Sequence, residues 1–212
     1  MDLDDFNPDA EIPFDLSREA MSAAIRDLYD ILFVLNAALI AKSYSILEEL
    51  MLGNAFSGFL GEILVKQLSV HSKKLARNAR VGGHPDLIPR GKYKDDSVLK
   101  GDEGVEIKAS RQKGGWQGHN VEKGWLMVFV YSVGNKSQPT EITAVFAAEL
   151  KEEDWSFSGR SGTSRRTITA SVRSDAVERM RENWIYKKGA SKEKEDPTPA
   201  QFLEPRKKRR RA

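Results

Sequence analysis

Residues 125–133 read WLMVFVYSV, a nearly continuous apolar run of nine positions. A run of that length and character is a strand buried on both faces, so it belongs in the middle of a sheet rather than at its edge. Such a strand needs cover on both sides, and the flanking sequence offers it. Ser17 can cap a helix whose apolar positions Ala20, Ala24, Ile25, Leu28 and Leu32 follow helical spacing to about Ala41. A short helical piece over Ser45–Leu52 ends at Gly53-Asn54. The next stretch, Ala55–Val70, sets Phe56, Phe59, Leu60, Ile63, Leu64 and Leu68 on one stripe. Beyond the central run, Glu141–Ala148 and the alternating Thr167–Arg173 read as strands. Asp175 and Glu178 have capping-box spacing and open a helix through about Trp184.

This order of elements predicts an α+β fold, an α/β/α sandwich with a mixed central β-sheet flanked by helices. An irregular arm over 1–16 precedes a single domain over 17–186, with a helical subregion (17–54) and a core (55–186). A disordered basic tail over 187–212 follows, where Lys, Glu and Pro dominate.

Composition narrows the function classes. The chain has no cysteine, which excludes disulfides, thiolate nucleophiles and cysteine-based zinc sites. Cysteine-free composition and an acidic start without a signal-peptide layout predict a cytoplasmic protein. The most apolar run, Ile31–Ala41, is too short for a membrane span of roughly 20 residues and reads as a buried helix. Net charge is +3, yet the tail Arg206–Arg211 alone carries +6, which leaves the rest at −3. The tail resembles a nuclear-localisation signal and reads as an electrostatic appendage. Locally, residues 73–113 hold eleven Lys/Arg against six Asp/Glu, a positive setting that attracts polyanions.

The stretch 84–110, HPDLIPRGKYKDDSVLKGDEGVEIKAS, sits inside that region. Val105–Ala109 alternates with the period of a half-buried strand, so Glu106 and Lys108 share one face. With Asp86, supplied by a short strand candidate at Asp86–Ile88, this gives two carboxylates and an ammonium. Mg²⁺ takes oxygen ligands and keeps several waters. Asp86, Glu106 and the backbone carbonyl of Ile107 can supply three oxygens, while Lys108 positions or deprotonates an attacking water. Glu62, at the edge of the Ala55–Val70 stripe, is a further ligand or holds a water of the metal's shell. That equipment suits phosphodiester hydrolysis.

From Ala55 to Val133 the chain resembles the PD-(D/E)XK nuclease superfamily. The helix acid Glu62, Pro85-Asp86, Glu106-Ile107-Lys108 and the core strand stand in that family's order. The resemblance implies a restriction endonuclease-like core with an N-terminal helical extension. It makes Asp86 and Glu106 metal ligands for Mg²⁺ (with Mn²⁺ as substitute), Lys108 the catalytic lysine and Glu62 the acid of the first helix. The expected activity is a Mg²⁺-dependent endonuclease of restriction type that cuts duplex DNA as a homodimer, with the long N-terminal helix as the dimer element. A structure-specific repair or junction nuclease, a non-catalytic DNA-binding module and a structural partner protein using the 31–41 helix are the rival expectations. The loop after the strand offers groups suited to base edges, Arg111, Gln112, Lys113, Gln117, His119 and Asn120, with Trp116 able to stack or wedge. Arg160, Arg165 and Arg166 lie in a Gly/Ser/Arg loop suited to phosphates. His84, next to Pro85, either supports a metal ligand from behind or makes a local loop hydrogen bond, the second being the main expectation.

Overall fold

In a computed structural model, which describes residues 2–118, 123–157 and 170–191, an arm with two 3-10 turns at Leu3–Asp5 and Pro13–Asp15 opens the chain. Helix α1 spans Arg18–Ala41. Ser17 caps it, its Oγ accepting the Ala20 N–H at 3.1 Å and so satisfying a donor that a helix start leaves unpaired. The four-residue α2, Leu47–Leu50, leads into α3, Gly53–His71. Strands β1 (Leu75–Arg77), β2 (Leu87–Pro89), β3 (Val105–Ser110), β4 (Gln117–Gly118), β5 (Gly124–Ser132) and β6 (Glu141–Leu150) come next. They are followed by β7 (Trp155–Phe157), β8 (Ala170–Val172), α4 (Ser174–Glu182) and β9 (Trp184–Lys187).

Six strands form one sheet in the order β1-β2-β3-β5-β6-β9. β3 and β5 run parallel and the other neighbours antiparallel, so the sheet is mixed. The apolar run is β5, with both faces covered. Met127, Phe129 and Tyr131 pack with α1 and α3, against Met21, Leu28, Phe56 and Leu60. Leu126, Val128 and Val130 pack on the opposite face, against Val177 and Met180 of α4 and Trp155 and Val172 of a small sheet ordered β4-β8-β7. Each large apolar side chain buried this way contributes roughly 1.5–3 kcal/mol. The fold is α+β, with helices on both faces of a mixed sheet, and the three-stranded second sheet is an addition that the sequence pattern did not indicate. Among the described residues no helix is long and apolar enough to cross a membrane.

Several expectations need correction. The run Ile31–Ala41 is helical but not buried: the fully covered positions of α1 stop at Leu32, while Phe33 is 74% and Ile40 57% exposed. Apolar composition marks a surface that prefers cover without saying that the same chain supplies it. Gly53 opens α3 rather than closing the preceding piece. β1 falls in a basic stretch with too short a pattern to register. Asp175 lies in the first turn of α4, whose cap position is Arg173, and Trp184 begins β9 instead of ending the helix. The arm is packed: Phe6 is buried and bridges Tyr186. Asp5 accepts the N–H groups of Gly189 and Ser191, both at 3.0 Å, so residues 187–191 are ordered rather than part of a tail. Of the Thr167–Arg173 strand, Ala170–Val172 is described. The basic tail lies outside the described residues.

Candidate active site

β2 and β3 pair at a single position, Leu87 with Val105. Gly104 permits that approach. Its φ is +148°, and a Cβ on it would sit 2.2 Å from the Leu87 carbonyl oxygen, an approach no other residue type tolerates. Past Val105 the outer edge of β3 has no strand partner among the described residues. Asp86 takes the place a strand would hold, its Oδ2 accepting the Ile107 N–H at 2.9 Å. The N–H and C=O of one strand residue point to the same edge, so the Ile107 carbonyl faces the same opening.

Glu106 and Lys108 lie side by side on the β3 face that carries Leu126 and Val128 in register. With Asp86 and Ile107 they line a cleft of about 810 Å³ that reaches round the open edge of β3 to a wall made by α3. Asn54, Ser57, Gly58, Gly61 and Glu62 form that wall. Nothing lies within 4 Å of where a Cβ on Gly58 or Gly61 would be, so the two glycines leave the cleft wide at its middle.

Asp86 is costly to ionise in this setting. Burial first, and the Glu106 carboxylate second, push the Asp86 pKa up to about 7; the Ile107 N–H pulls it back, Glu62 pushes it up further and His84 lowers it. Desolvation and a like charge both oppose ionisation. Glu106 is largely shielded. His84 Nδ1 lies 2.8 Å from its Oε2 but without the alignment of a ring N–H bond, and that oxygen accepts no aligned hydrogen bond. Of the two roles expected for His84, this contact places it against the candidate ligand. Glu62 is exposed and pairs with Arg77 Nη2 at 2.6 Å.

Asn78 carries a role that the sequence did not signal. It is buried, its Nδ2 donates to the carbonyls of Pro85 (3.0 Å) and Val98 (2.9 Å), and its Oδ1 accepts the N–H groups of Arg80 and Val98, both at 3.1 Å. Its own N–H donates to the Asp86 carbonyl at 2.8 Å. One amide thus ties three segments together and fixes the backbone that aims Asp86. An asparagine in a glycine-rich stretch gives no pattern from which this could be read.

The loop assigned to base reading divides. Gln112 and Gln117 line the cleft. Trp116 does not offer a free ring: it is 3% exposed, packs 6.1 Å from the Phe146 ring and donates its Nε1 proton to the Gln112 carbonyl at 2.9 Å. It is a core side chain, because the second sheet and β6 enclose it. The Arg111 guanidinium lies over the start of α3, where a Cβ on Gly53 would meet it at 2.7 Å. Lys113 faces a different hollow. His119, Asn120, Arg160, Arg165 and Arg166 lie outside the described residues. The positive setting is also reduced by internal pairing: Lys74 pairs with Asp15, Arg77 with Glu62 and Lys92 with Asp102 and Glu103, while Arg90 donates to the Ser69, Ser72 and Leu75 carbonyls.

Two close carboxylates, one with a shielded and unbonded oxygen and one resisting ionisation, suit a cation, which would relieve both conditions. Among the described residues no group of three or more His, Asp or Glu is arranged as a ligand shell. The protein would therefore contribute two carboxylates and a carbonyl, leaving other positions to water and substrate, as Mg²⁺ allows. No family model, curated protein or solved structure matches this chain.

Proposed function

We propose that the protein is a Mg²⁺-dependent endonuclease that hydrolyses phosphodiester bonds of duplex DNA, a restriction-type enzyme of the PD-(D/E)XK kind. The observation that carries the reading is the meeting of Asp86, Glu106 and the Ile107 edge in one cleft with Lys108 on the neighbouring position of β3. Bound there, Mg²⁺ would neutralise charge developing on phosphorus and make a water more acidic. Asp86 and Glu106 hold the ion, and His84 steadies Glu106. Lys108 reaches a phosphate oxygen or the attacking water, a positioning and proton-transfer role commonly worth about 10²–10⁴ in rate. Gly58 and Gly61 give a sugar–phosphate backbone room against α3. The cytoplasmic setting belongs to the same proposal.

Cutting both strands calls for two sites, and a two-fold homodimer supplies them. The exposed apolar end of α1 with Tyr44, Leu50 and Leu52 is the surface that best suits a second copy, since exposed apolar patches mark interaction sites. A repair or junction nuclease is the second reading. The packing of Trp116 and the position of Arg111 favour it, because they leave fewer side chains free to read bases.

Incubating the purified chain with several supercoiled plasmids, with and without Mg²⁺, tests the proposal. Discrete linear fragments that appear only with Mg²⁺ support the restriction reading, and cutting confined to branched substrates supports the second. Glu106→Ala should lose cleavage by about 10³-fold or more while keeping its fold, and cutting at undiminished rate by that variant contradicts the assignment.

A further inference from the structure

A second hollow, of about 340 Å³, is lined by Lys113, Arg181, Lys187, Lys188, Thr143 and Phe146. Its charged lining is four cations and no carboxylate. Two of the cations are partly spent. Arg181 pairs with Glu178 at 2.6 Å and Lys188 pairs with Glu141. Lys113 and Lys187 have no carboxylate partner among the described residues, and both are exposed. The backbone at Lys113 and the ammonium of Lys187 are both held. Arg181 Nε and Nη2 donate to the Lys113 carbonyl at 3.2 and 2.9 Å, which docks the loop on α4. Lys187 Nζ stands 4.7 Å from the centre of the Trp184 ring, an attraction that holds the ammonium in one region.

The hollow is also a neighbour of the cleft. Trp116 lines the cleft and Phe146 lines the hollow, and their rings lie 6.1 Å apart. One pair of packed rings separates the two cavities.

We propose that this hollow is a phosphate-binding site, and that its phosphate belongs to the backbone of the same polynucleotide whose scissile bond lies in the cleft. The second half of the statement rests on the endonuclease reading. Cations without carboxylate partners favour a phosphate oxyanion, and a strand leaving the cleft along the exposed loop of Gln112 and Lys113, the first lining the cleft and the second the hollow, presents its next phosphates here. The cleft then sets which bond is cut, and the hollow sets the strand's path. Lys113 and Lys187 are positioning residues, and neither touches the reacting atoms.

The test uses the full chain without divalent metal and follows binding of a labelled duplex by anisotropy between about 50 and 200 mM salt. Doubly substituted Lys113→Gln/Lys187→Gln is compared with wild type and with Lys42→Gln/Lys136→Gln, which removes two exposed lysines elsewhere. The salt dependence of the first variant should be shallower by about two in slope, with affinity at least about tenfold weaker, and that of the control unchanged. Inorganic phosphate is titrated in parallel at matched ionic strength. Lysine-dependent binding of inorganic phosphate with an unchanged duplex slope assigns the hollow to a free phosphate ligand and overturns the polynucleotide source. Equal slopes in both variants and no phosphate binding overturn the site altogether. Because the readout needs no cleavage, a chain that cuts plasmid with an unchanged slope contradicts this inference alone. One that shows the slope change without ever cutting contradicts the endonuclease reading alone.

Discussion

Two shielded aspartates, Asp86 in the cleft and Asp154 beneath α4, meet opposite treatment. Asp154 lies between β6 and β7 and is 4% exposed. Burial works to raise its pKa, but the Lys151 N–H at 2.8 Å and the Arg179 guanidinium at 2.6 Å outweigh it, so the carboxyl is held below its usual value. Asp86 receives one backbone N–H and faces two other carboxylates, and its pKa is pushed up to about 7. The same residue type is a structural anion in one place and an uncompensated one in the other. Fold stability would be served by a partner cation from the chain beside Asp86, as at Asp154. His84 lowers the Asp86 pKa but comes last among the influences on it, and such a deficit of positive charge is what a site keeps when the cation comes from outside.

The contrast can be broken most forcefully through Asn78. Asn78→Ala strands the Pro85 and Val98 carbonyls and two N–H groups, and should cost about 2–4 kcal/mol in a denaturant titration, loosening the Asp86 backbone before anything near Asp154 responds. Next, Asp154→Asn should destabilise by about 1–2 kcal/mol, moderated because Arg179 is half exposed, with plasmid cleavage retained. Asp86→Asn should move stability the other way. The asparagine still accepts the Ile107 N–H but carries no charge, so in metal-free buffer at pH 8 the fold should gain about 1–2 kcal/mol while cleavage is lost. The same group sets a pH dependence. With a folded pKa of about 7 against about 3.9 when unfolded, the native state holds the proton longer. Its contribution to stability is therefore full below about pH 4 and is lost as the pH rises towards 7. A metal-free urea series should show this slope in wild type and lose it in Asp86→Asn. Smallest, Gly61→Ala in the middle of α3 should stabilise by about 0.5–1 kcal/mol, since nothing occupies the space its Cβ would take.

The half of the site on β3 was legible because a period of two obliges Glu106 and Lys108 to share a face. Asp86 was legible as a candidate only, since its arrival depends on one strand pair, Leu87 with Val105, that a glycine at 104 permits. The central strand announced itself by continuous apolarity, whereas β1 and β9 are three and four residues long and too short to show any period. Burial was the least readable property. Trp116 sits in a glycine-rich polar stretch and is enclosed by elements far along the chain, while Phe33 and Ile40 sit in the most apolar stretch and face solvent. Local pattern reports what a segment prefers, and only tertiary contacts decide whether it obtains it.

Binding of Mn²⁺ to the full chain, followed by the electron spin resonance of the free ion at pH 8, bears most directly on Asp86 and Glu106 as partners for one cation. Saturable binding in wild type, weakened by about tenfold or more in Glu106→Gln and in Asp86→Asn with both variants folded, is the expected result. Undiminished binding in Glu106→Gln would contradict it.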